Sequence, residues 1–178
     1  MRADARRNYD KLVSSARTAF AEDGASASLE DIARRAEVGI GTLYRHFPTR
    51  RDLFEAVYVG EVEALSRSAS DLAGEPPWEA LVGWLHRLVD YIATKRALAE
   101  ELVHDSEIFQ RCRDEVYDAG KPLLERAQEA GVARPDTNIS DVMRMVSGIT
   151  LIKVAEPGQL ERVLDMALDG LRPQQPRG

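Results

Sequence analysis

A hydroxyl, a phenol, a guanidinium and an imidazole fall within five residues in Thr42-Leu43-Tyr44-Arg45-His46. All four can hydrogen-bond to phosphate oxygens or to base edges, and the guanidinium carries a fixed positive charge. On a helix at about 100° per residue, with Ile40 at the origin, Leu43 and Phe47 fall within about 60° of it, while Gly41, Thr42, Arg45 and His46 occupy the opposite arc. One face is suited to packing and the other to a polar partner, with Tyr44 at the border. Ile40 has no hydrogen-bonding group, so it can touch an apolar group such as a thymine methyl, or pack against its own domain.

The flanking sequence supplies the elements that hold this face. Leu12, Val13, Ala16, Ala19 and Phe20 form the stripe of an amphipathic helix that Gly24 ends. Ser28 is placed to cap a short helix carrying Leu29, Ile32, Ala33 and Ala36 inward, with Asp31 three residues on as in a capping box. Glu37-Val38-Gly39 turns the chain, and a helix over 40–47 follows. Two short helices around a tight, glycine-containing turn have the dimensions of a helix-turn-helix, whose second helix enters the major groove. Pro48 stops that helix, and Thr49 with Asp52 caps a long one running to about Leu72, before Gly74 and Pro76-Pro77.

Charge follows the same division. Residues 1–51 hold ten Lys/Arg against seven Asp/Glu, whereas residues 52–178 hold fourteen against twenty-three, so a basic head precedes an acidic body within a net charge of −6. Phosphate binding depends on charge near the contact, and distant charge is screened beyond about 8–10 Å in physiological salt, so overall acidity does not exclude nucleic acid. Arg2, Arg6 and Arg7 read as a solvated terminus, with a flexible groove-binding arm as the other reading.

The acidic body reads as helical throughout. The segment from Trp78 to Ile92 is apolar around half its circumference, and a stripe from Phe109 through Cys112, Val116, Ala119, Leu123 and Ala127 to Ala130 predicts a helix kinked or restarted near Gly120 and Pro122. After a loop over 131–137, Asn138 and Asp141 open a helix carrying Val142, Met145, Val146, Ile149 and Ile152. Beyond Pro157-Gly158 the last helix carries Leu160, Val163, Leu164, Ala167, Leu168 and Leu171, and the tail from Arg172 frays. With no alternating strand pattern and no internal repeat, the fold class is all-α. Domain boundaries are expected at 1–50 and 51–178, with the helix from about 50 to 72 connecting them.

Several chemistries lack their residues. Cys112 is the single cysteine, and no Cys/His cluster stands at metal-ligand spacing, so neither metal nor cofactor is expected. No phosphate loop, nucleophile elbow, HExxH or paired carboxylate constellation is visible, which argues against an enzyme. His86 lies on a polar face and His104 near a helix end, where solvation and a helix-terminal charge interaction account for them. No apolar leader or membrane-length run occurs, so a cytoplasmic protein without a membrane partner is expected.

Ser28-Leu29-Glu30-Asp31-Ile32-Ala33, followed by Gly41-Thr42-Leu43-Tyr44-Arg45-His46-Phe47-Pro48-Thr49-Arg50, resembles the tetracycline-repressor (TetR) family over about the first 55 residues. Gly39 stands where that pattern has Ser or Thr, and Ile40 where it has a more often polar residue. The resemblance implies that Ile40, Thr42 and Arg45 face bases, that Tyr44, His46 and Arg50 fix phosphates, and that Ser28 adds hydroxyl and backbone contacts. Arg50 also begins a helix, whose free amides favour an anion. The resemblance further implies a homodimer on double-stranded DNA, with the last two helices pairing through Val142, Met145, Val146, Ile149, Leu160, Val163, Leu164 and Leu168. An ordinary intrachain core is the other reading of those stripes. Trp84, Tyr91, Phe109, Tyr117 and Met143 are candidates to line a pocket for an apolar or aromatic effector, against simple core packing. The function expected is a ligand-released repressor on a palindromic operator. A ligand-independent helix-turn-helix regulator and an all-helical enzyme stand as alternatives.

Overall fold

The computed structural model describes residues 2–98, 107–151 and 155–173, and within them the secondary structure is helical with no strand. α1 spans Arg2–Asp23, α2 Leu29–Arg35, α3 Ile40–His46, α4 Arg50–Asp71, α5 Pro77–Leu98, α6 Glu107–Glu129, α7 Ile139–Thr150 and α8 Gln159–Asp169, with single 3-10 turns at Gly24–Ser26 and Leu72–Gly74. His104 and Ile152 lie outside the described residues. No helix among the described residues is long and apolar enough to cross a membrane.

Local chemistry accounts for the helix ends. Gly24 takes φ +58 after α1, the left-handed conformation that glycine adopts without a Cβ clash. Before α4, the Thr49 amide donates to Asp52 Oδ2 at 2.8 Å and the Asp52 amide to Thr49 Oγ1 at 3.2 Å. The same reciprocal box joins Asn138 and Asp141 before α7.

Of the kink or restart expected near Gly120 and Pro122, the restart is corrected: α6 is one continuous helix, although Pro122 lies inside it. Proline removes the bond to the carbonyl four residues earlier, and both Pro122 and Asp118 are exposed, so water can satisfy that carbonyl. The arginines at the start of the chain belong to α1, and Arg6 and Arg7 are exposed as the solvated reading has them: Arg6 pairs with Asp10 at 3.2 Å, and Arg7 pairs with Asp4.

The described residues form two compact units, one of residues 1–61 with 94–109, the other of 62–93 with 110–178. In the first, Leu12, Ala16 and Phe20 of α1, Ile32 of α2, Leu43 of α3, and Leu53, Phe54 and Val57 of α4 make the core, each at most 1% exposed. Phe20 and Phe54 stack at 4.0 Å, only 9° from parallel. In the second, Trp84 is fully buried and its indole N–H donates to the Leu65 carbonyl at 3.2 Å. Where α4 gives way to α5, the Arg126 guanidinium from α6 donates to the carbonyls of Leu72, Ala73 and Glu75, closing a chain end that intrahelical bonds leave open.

Glu61 is a carboxylate in this apolar setting, 8% exposed and paired with Arg17 at 2.6 Å. Burial raises its pKa above the usual carboxylate range, although Arg17 opposes the shift. The folded chain therefore holds this proton more tightly than the unfolded chain. The resulting stabilisation is complete below the ordinary carboxylate pKa and is lost as pH rises through the raised value. Glu61→Gln removes that loss, so in urea melts from about pH 4 to about pH 7 the variant gains on the wild type as pH rises. A constant difference across the range would contradict this.

Candidate nucleic-acid interface

Ser28 caps α2 as expected: its hydroxyl oxygen accepts from the Asp31 amide at 3.3 Å, and its O–H donates to Glu30 Oε2 at 2.9 Å. Asp31 does not complete the box. Its carboxylate pairs with Arg34 and, at 2.5 Å, with Arg35, and those bonds hold it below the usual carboxylate range.

The chain turns into α3 at Glu37-Val38-Gly39 as expected, with Gly39 at the cap position. Gly39 is extended, at φ −69 and ψ 146, whereas Glu37 takes the left-handed conformation at φ +57. Val38 N–H reaches Ala33 O at 3.0 Å and Glu37 N–H reaches Arg34 O at 3.1 Å, the paired bonds of a Schellman end with glutamate where glycine is usual. A non-glycine residue there costs about 1–2 kcal/mol. Lys11 Nζ donates to Glu37 Oε2 at 2.9 Å, which ties the turn to α1.

α3 divides as the wheel predicts, with one exception. Leu43 and Phe47 are 0% and 3% exposed, while Tyr44 is 46% exposed and Gly41 and Arg45 also face outward. Ile40, placed by the wheel beside Leu43 and Phe47, is 38% exposed. It begins the helix, one turn before Leu43, and extends past the core that Leu43 and Phe47 close. Thr42 and His46 are half-buried. His46 meets the edge of the Tyr9 ring at 6.1 Å, and Tyr9 also lies 5.2 Å from Phe47. Sequence reasoning missed Tyr9, which no local pattern connects to α3.

Arg45 differs from its neighbours electrostatically. Arg6, Arg7, Lys11, Arg17, Arg34, Arg35 and Arg51 each pair with a carboxylate. Arg50 donates to the Ala27 carbonyl at 2.7 Å, with its guanidinium over the rings of Phe20 at 5.6 Å and Phe54 at 5.1 Å. Among the described cationic side chains of residues 3–61, Arg45 alone has no partner, and it projects from α3 beside Tyr44. The structure thus brings Ile40, Tyr44 and Arg45 onto one open surface, while Arg50 braces the junction of α1, α2 and α4.

The pocket candidates are divided. Trp84, Tyr91, Tyr117 and Met143 belong to the second unit; Phe109 belongs to the first, where it stacks on Tyr58 at 4.5 Å. Of the residues expected to pair two subunits, Val142, Val146, Leu164 and Leu168 are buried within the chain, and Met145, Ile149, Leu160 and Val163 are half-buried. Two apolar residues that no expectation included, Leu151 and Met166, are 68% and 74% exposed.

Comparison with known proteins agrees with this architecture. Residues 12–57 match the bacterial regulatory proteins of the tetR family, and residues 76–173 match the C-terminal domain of SbtR-like transcriptional regulators. A TetR transcriptional regulator from Streptomyces coelicolor is 40% identical, with 94% of this chain and 99% of that one covered and a TM-score of 0.82. A TetR transcription regulatory protein from Mycobacterium vanbaalenii is 32% identical, with 96% and 98% covered and a TM-score of 0.79. The HTH-type transcriptional regulator UidR of Escherichia coli K12 is 24% identical over 159 residues, covering 84% of this chain and 81% of that protein. With its amino-terminal helix-turn-helix and its helical carboxy-terminal domain both matched, the chain belongs to the TetR family of transcriptional regulators.

Proposed function

We propose that the chain is a cytoplasmic, homodimeric repressor that reads a palindromic operator with α3 and leaves it when a small apolar or aromatic molecule binds its body. The observation that carries the DNA contact is the open surface of α3, where an unpaired guanidinium stands beside an exposed phenol above a buried apolar face. Thr42 and Arg45 are the hydrogen-bonding base readers of this proposal, while Ser28, Tyr44 and His46 serve the phosphates. Arg50 serves the phosphates at the start of α4 and, through its bond to the Ala27 carbonyl, holds the reading helices in place.

The test is binding of the full chain to a duplex selected from random sequence, measured across a range of salt. Affinity should fall steeply with salt, and Arg45→Ala should weaken binding about tenfold or more while relaxing the preference at the base pair it reads. Unchanged affinity and preference would remove Arg45 from base reading.

Dimerisation is supported by the apolar surface of α7 and α8. Leu151 and Met166 are exposed, Ile149 and Val163 half-exposed, and a Cβ at the exposed Gly148 would meet nothing within 4 Å in its own chain. That opening leaves room for a second copy to approach closely. Met166→Glu places a charge there and should shift the chain towards monomer in sedimentation at micromolar concentration. An unmoved equilibrium would place the interface elsewhere.

A further inference from the structure

We infer that Ile40 is a specificity-determining residue that reads the 5-methyl group of a thymine in each operator half-site. The inference rests on the proposed DNA contact of α3 and identifies what one part of that surface recognises. Ile40 is 38% exposed, although Leu43 on the same helix and Phe47 at its end are almost wholly buried, so its side chain is not used up in packing.

Its surroundings narrow its role. Gly39 and Gly41 flank it, and a Cβ at either would meet nothing within 4 Å, so neither glycine is required by crowding within the chain. Gly39 has φ −69, which any residue can adopt, and Gly41 is a poor helix former in a helix of seven residues. Together they leave one branched apolar side chain on a stretch of otherwise bare backbone. That shape allows close approach to a groove floor with a single apolar contact. In the major groove, base edges offer hydrogen-bond donors and acceptors, and the thymine methyl is the apolar group among them. An isoleucine without hydrogen-bonding atoms therefore selects thymine by covering that methyl, and disfavours polar edges that it would desolvate without a partner.

Replacing each thymine of the selected duplex in turn by deoxyuridine removes one methyl and keeps every hydrogen-bonding atom. For the wild-type chain, one thymine per half-site should show about a fourfold loss of affinity, or about fifteenfold when both half-sites are changed, as expected for one buried methyl each. Ile40→Ala should bind the thymine and deoxyuridine duplexes equally. Alanine is the better helix former and the site is exposed, so the variant is expected to fold, and an unchanged melting temperature checks this. A selected duplex in which no thymine methyl matters, or in which the same thymine matters equally to Ile40→Ala, would overturn the assignment to Ile40. Selection of no sequence at all would instead overturn the DNA-binding reading, and this inference with it.

Discussion

Phe54→Ala lowers the unfolding free energy of the DNA-reading end of the chain by about 3–5 kcal/mol, the range for deleting a buried phenylalanine. The ring is fully buried, stacks on Phe20 at 4.0 Å and has the Arg50 guanidinium over it at 5.1 Å. Its loss leaves a cavity at the start of α4 and removes one of two rings that steady Arg50, which in turn holds the Ala27 carbonyl just before α2. The damage therefore spreads from α4 to the entry of the helix-turn-helix. Urea titration of the full chain and duplex binding at low temperature measure the two consequences. A loss of no more than about 0.5 kcal/mol, the scale of an ordinary surface change, would show that the pair is not central to this core.

The second large effect is expected from a single methyl. Gly120 is buried in α6, and a Cβ built there would stand 2.6 Å from Trp84 Cζ3 and 3.0 Å from Ile139 Cδ1, with Cη2 closer still. The indole has little freedom to yield, since its N–H is engaged by the Leu65 carbonyl and its ring is wholly buried. Gly120→Ala should gain up to about 1 kcal/mol in helix propensity, yet overpacking of about 1–3 kcal/mol or more opposes it and decides the sign. The expected result is a lower melting temperature with an altered tryptophan emission spectrum. A more stable variant with unaltered emission would contradict the close packing.

These two sites also show why sequence reveals some features and conceals others. The caps at Ser28, Thr49 and Asn138 were legible because cap and partner lie within three residues, where local geometry settles the bond. The buried face of α3 was legible because Leu43 and Phe47 recur at helical spacing. The sequence left Ile40 open between packing and an outside contact, because periodicity gives a direction around a helix without saying how far along it the core extends. The Arg126 bridge, the approach of Tyr9 to His46 and the closeness of Gly120 to Trp84 all join segments far apart in sequence, and nothing local marks them. Glu37 was missed for a different reason. Glycine is the usual left-handed residue, so no local signal marks a glutamate for that conformation, which the ion pair with Lys11 helps to hold.

The side chains that set the pose of α3 are Leu43, Phe47, Tyr9 and the Glu37–Lys11 pair; those on its open surface are Ile40, Tyr44 and Arg45. The two groups share no member. On the proposed reading, a mutation on the open surface changes what is recognised without changing how the helix is mounted, since surface substitutions of this kind usually alter stability by no more than about 0.5 kcal/mol. New operator preferences would then lie one or two substitutions away along folded intermediates, and duplicated copies of such a gene could diverge in their targets while keeping the same scaffold.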